Sequence, residues 1–136
     1  MDKNIKVRWG WLKIMYFYTI FGAGVFGLGM IVIPDRLISW FGYPAQDPII
    51  FGIAGSVYLA FGVLSILGLR SPLKFTPLLL LQLFYKTIWF IGIIIPVLIT
   101  GQLPMYALSF VVIFASYIIG DLIAIPFPYI FSKENV

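Results

Sequence analysis

Gln82-Leu83-Phe84-Tyr85-Lys86-Thr87-Ile88-Trp89 sets an amide, a phenol, an amine and an indole inside the hydrocarbon run from Phe75 to Thr100. That run is long enough to cross a bilayer as a helix, the form in which a segment satisfies its own backbone polar groups. An ionisable side chain at such depth is expensive against acyl chains: a lone lysine or aspartate mid-span costs about 3 kcal/mol on insertion scales. The rest of the chain must therefore enclose Lys86.

Outward from this run, three further apolar stretches are long enough to help, which gives spans at about 11–33, 49–69, 75–100 and 105–127. Composition agrees. The 136 residues are 62% hydrophobic and only 10% charged, with a mean hydropathy of +1.06; an ordinary soluble domain could not hide that much apolar surface. The expected fold is an all-α membrane protein, a single domain over 1–136 built as an antiparallel four-transmembrane-helix bundle. The first run is read as a retained span rather than a cleaved signal peptide, since its apolar stretch continues past Gly22-Ala23-Gly24 to Pro34.

Residues 34–48 form a loop of amphipathic content, with Leu37, Ile38, Trp40 and Phe41 beside Asp35, Arg36 and Asp47. It reads as a segment lying in the interface plane, with Trp40 and Tyr43 at headgroup level. Arg70-Ser71-Pro72-Leu73-Lys74 and Gly101-Gln102-Leu103-Pro104 are tight turns. Lys3, Lys6, Arg8, Lys13, Arg70, Lys74 and Lys133 flank the ends on one side, against Arg36 alone on the other, so both termini are expected in the cytoplasm, most naturally of a bacterial cytoplasmic membrane. The formal net charge of +4 thereby reflects topology and anionic lipid, not nucleic acid.

Ten of the thirteen glycines precede residue 70. Gly22, Gly24, Gly27 and Gly29 spell a GxGxxG, but the motif needs a preceding strand and a βαβ unit that this chain lacks. Spaced small residues in a membrane helix instead allow close backbone approach, so the first two spans are expected to pack tightly.

The chain has no Cys and no His, which removes thiolate chemistry, the commonest metal ligand and the usual general base. No cofactor is expected, and a membrane enzyme using Lys86 or Tyr85 as acid or base is the least favoured function. Lys86 falls roughly 16 Å into its span and Asp121 roughly 9 Å from the same surface on the fourth, at 1.5 Å per residue. Gln82, Tyr85, Lys86 and Trp89 form one helical stripe, Tyr117 and Asp121 a second, Lys13 and Tyr16 a third. Their convergence predicts a polar cavity opening toward the cytoplasm, with Lys86 meeting Asp121 directly, through Gln82 or through water. For Trp89, core packing competes with ligand stacking.

The turn Gly68-Leu69-Arg70-Ser71-Pro72, preceded by Tyr58-Leu59-Ala60-Phe61-Gly62, within four short spans, resembles the small bacterial DoxX-like integral membrane proteins. The resemblance implies a respiratory or thiol-redox complex, a partner subunit, or a lipid-like or quinone-like ligand; it maps no role onto Gln82 to Trp89. From the residues themselves two functions compete. One is binding or transport of a small amphiphilic or anionic molecule in the cavity. The other is a structural or accessory subunit, a homodimer or a partner of a second membrane polypeptide, in which the same residues are interhelical glue.

Overall fold

The computed structural model describes residues 5–134, all helix, turn and coil; Lys3, counted above among the flanking charges, lies outside them. Four helices are long and apolar enough to cross a membrane: α1 (Trp9–Val32), α3 (Pro48–Arg70), α4 (Thr76–Thr100) and α5 (Ala107–Ala124). Two short ones complete the chain, α2 (Pro34–Phe41) and α6 (Phe127–Ile130).

The boundaries follow local chemistry. Asp47 caps α3, its carboxylate accepting from the N–H of Ile49 at 2.8 Å and of Ile50 at 3.2 Å, with Pro48 at the first helical position, where no N–H is needed. Gly42, at φ 70°, ends α2 in the left-handed conformation that only glycine adopts without strain. The fourth span is shorter than the apolar run suggests, stopping at Ala124 rather than Phe127. Ile125 is extended because it precedes Pro126, whose ring disfavours the helical conformation in the residue before it.

Helices α1 and α3 make the most extensive contact in the molecule. Tyr16 packs on Gly68, Gly24 on Gly62, and Gly27 on Gly55 and Leu59. At the middle pair the backbones themselves touch: a Cβ on either glycine would collide with main-chain atoms of the other. Gly52, by contrast, has open space where its side chain would be. The loop after α1 folds back, so that Leu37 is buried with Met30 and Phe51 while Trp40 is 68% exposed.

Two of the long helices contain a wide π turn, over Ile20–Val25 in α1 and Phe90–Ile94 in α4. The second lies just ahead of Pro96, which has no N–H to give the turn before it. Beyond it α4 runs from Ile95 to Thr100 with no buried residue. The main core sits nearer the other end of the molecule, where Leu12, Met15 and Tyr16 meet Leu79, Leu83, Tyr117 and Ala124.

Candidate functional site

Six of the eight residues singled out from sequence lie inside the bundle or line its cavity, but not as a single polar cluster. Lys86 is 1% exposed and Asp121 and Gln82 are 0% exposed, so neither charge meets lipid. The amine of Lys86 donates to the Tyr85 hydroxyl at 2.8 Å. Around it stand three aromatic faces, with ring centroids 4.1 Å away for Tyr117, 4.4 Å for Tyr85 and 4.9 Å for Phe114. A desolvated amine gains from the negative faces of such rings.

Asp121 is one helical turn beyond Tyr117, and neither of its oxygens accepts a hydrogen bond. Direct contact between Lys86 and Asp121, one of the expected arrangements, is thus not what the structure has. The level of the amine explains it. Nζ stands over the Tyr117 ring, one helical turn short of Asp121.

Gln82 turns to α1 instead of to Lys86. Its amide donates to the Thr19 hydroxyl at 3.3 Å, and Thr19 passes its own proton to the carbonyl of Met15 at 2.7 Å. Thr19, 0% exposed, was not anticipated, for a single threonine in a long apolar helix commonly bonds its own preceding turn. Ser65 is also fully buried with an unpartnered hydroxyl. Tyr16 closes the core, its hydroxyl donating to Pro72 in the second turn at 2.6 Å. Lys13 does not belong to the site. Leu12, Met15, Tyr16 and Thr19 define the inward face of α1 and leave Lys13 exposed.

A cavity of about 160 Å³ lies above the Lys86 amine. Its walls are mostly aromatic, with Tyr18, Phe26, Tyr58, Phe110, Phe114 and Tyr117 among them. The π turn of α1 contributes Gly22 and Ala23, and a Cβ at Gly22 would overlap the Tyr117 hydroxyl. That hydroxyl donates to the Tyr18 carbonyl at 2.9 Å, and the two rings stack with centroids 3.9 Å apart. Trp89 is half-buried against Phe114 and Phe90 and does not line the space, which fits packing rather than stacking on a ligand.

The cavity lies toward the first connection rather than toward the second turn, where the expected convergence of stripes would have put it. It is bounded by Phe41 and Tyr43 of the first connection and by nothing from residues 71–75. The reason is where the bulk sits: Leu12, Met15, Tyr16 and Leu79 fill the half next to the second turn. Tyr43, placed at headgroup level from sequence, stacks on Phe110 at 5.3 Å and packs edge-on to Tyr106. Burial raises its phenol above the ordinary tyrosine value, so it stays neutral at physiological pH.

Among the described residues no group of three or more acidic, cysteine or histidine side chains could hold a metal ion. No protein-family model, curated protein or solved structure matches the chain.

Proposed function

We propose that the protein is an antiparallel four-helix membrane bundle, with both termini in the cytoplasm, that binds or carries a small amphiphilic or anionic molecule without chemical turnover. The observation that carries this reading is the enclosed amine of Lys86 at one wall of an aromatic cavity within a helix bundle. Largely apolar walls with one convergent polar group are the make-up of small-molecule sites. The amine supplies counter-charge or a hydrogen bond, and the surrounding rings supply dispersion and shape.

The topology has its own support. Contacts between α1 and α3 pair rising numbers with falling ones, 16 with 68, 24 with 62 and 27 with 55. Arg8, ahead of α1, donates to the carbonyl of Ile123 in the last turn of α5 at 2.9 Å, which puts the two ends of the chain together. A basic side chain there also complements the negative pole of that helix.

An accessory subunit is the second reading, favoured by polar bonds that already join helices: Tyr117 to Tyr18, Gln82 to Thr19 and Tyr18 to Ser116. Native mass spectrometry of gently extracted protein separates the two. A retained small molecule that is lost from the double variant Lys86→Met with Asp121→Leu, which removes both buried charges together, supports the cavity reading. A retained second polypeptide, unaffected by that change, supports the accessory one.

A further inference from the structure

Resting on the binding reading above, we propose that the cavity captures carbonyl compounds of single-ring size, an aromatic aldehyde being the simplest, by reversible imine formation on Lys86. The size argument comes first. An apolar protein cavity of about 150 Å³ takes up benzene, and this one, at about 160 Å³, has the same capacity within mostly aromatic walls. A ring taken up there shares the space with Lys86, which lines the same cavity.

Chemistry supplies the rest. A lysine held in an apolar pocket is a nucleophile toward carbonyl carbon. Here the Nζ lone pair attacks that carbon, the C–N bond forms as the C=O π bond breaks, and one N–H proton moves from nitrogen to oxygen to give a carbinolamine. The Tyr85 oxygen accepts from Nζ at 2.8 Å, which leaves the phenol's own proton free for the departing hydroxyl. The C–O bond then breaks as the phenol protonates the departing hydroxyl, one water leaves, and an iminium faces the Tyr85 phenolate. The phenolate takes back the iminium N–H proton, which restores the phenol and leaves the neutral imine, with Asp121 buried one turn beyond the Tyr117 ring. No oxidant or reductant is required, and water reverses the sequence.

The test uses the full chain in detergent micelles with limiting benzaldehyde and sodium cyanoborohydride, which reduces an imine to a stable benzylamine but spares the free aldehyde, followed by peptide mass mapping. Exposed Lys13 is the internal reference. The expected result is faster benzylation at Lys86 than at Lys13, suppressed by excess benzyl alcohol at Lys86 alone. Tyr85→Phe should slow the reaction at Lys86 by about a hundredfold, the scale of a lost general acid, and leave Lys13 unchanged. Saturation-transfer NMR with benzyl alcohol, compared with Ser109→Trp, which fills the cavity, reports non-covalent binding separately. Binding by NMR with no preferential, protectable benzylation of Lys86 overturns the imine proposal and leaves the binding reading standing. Absence of benzyl alcohol binding in the wild type overturns both.

Discussion

The Nζ of Lys86 lies 4.1 Å from the centroid of the Tyr117 ring, on the helix that also carries Asp121 one turn further on. The amine is thus held by a face of π electrons, not by a carboxylate. Such a contact is worth about 2 kcal/mol when desolvated. Tyr117→Phe keeps the ring and removes only the hydroxyl that donates to Tyr18, so it is expected to cost about 1 kcal/mol. Tyr117→Leu removes the face as well and should cost roughly twice as much or more. Thermal unfolding in a fixed detergent measures both, and equal losses would show that the ring contributes nothing to holding the amine.

Close backbone approach makes a paired prediction possible within one helix. Gly62→Leu drives a side chain into the backbone of Gly24, and overpacking of this kind costs about 3 kcal/mol or more because no rotamer relieves it. Gly52→Leu, on the same helix, enters open space and should leave stability unchanged or slightly raised, since leucine favours a helix over glycine by about 0.8 kcal/mol. Folded yield and melting temperature of the two variants in parallel check the argument. Equal effects would mean that α1 and α3 do not meet at these glycines.

The reach of sequence reasoning is clearest in these two helices and in the polar residues they face. Spans, and the inwardness of Lys86 and Asp121, follow from the energetics of charge in hydrocarbon, which needs no knowledge of neighbours. Which group meets which depends on helix ends and rotation. Lys86 meets the Tyr117 ring and not the carboxylate one turn beyond it, a difference of one helical turn that spacing along the chain does not resolve. Lys13 shares a three-residue spacing with Tyr16, yet at about 100° per residue it falls outside the inward arc of Leu12, Met15, Tyr16 and Thr19. Thr19 and the folding back of Tyr43 leave no pattern in composition, because each depends on contacts distant in sequence.

Gln82 and Thr19 give a prediction whose sign depends on what each leaves behind. Gln82→Leu removes a buried amide, and Thr19 keeps its 2.7 Å bond to the carbonyl of Met15. The expected change is small, within about 0.5 kcal/mol either way. Thr19→Val strands the amide of Gln82, a loss of about 1–3 kcal/mol. The double variant should therefore recover most of what Thr19→Val loses. A double-mutant cycle by thermal unfolding reads the recovery, and strict additivity would show that the two side chains do not interact.

Lys86 and Asp121 allow the most demanding test, because they are both buried yet share no direct hydrogen bond. Removing one of two enclosed opposite charges leaves the other uncompensated, and in proteins that loss runs to about 3–5 kcal/mol. Lys86→Met alone and Asp121→Leu alone are each expected to fall in that range or to abolish the folded protein. Replacing both removes the desolvation cost of both groups along with their attraction, so the double variant should be within about 1–2 kcal/mol of the wild type. Its cavity would keep its aromatic walls but lose its amine. Benzyl alcohol should therefore still bind the double variant, whereas benzoate, which needs the positive charge, should not. If the double variant is as unstable as the worse single one, the two charges are not coupled across the bundle; if it binds benzoate as the wild type does, the amine is not the group that meets an anion.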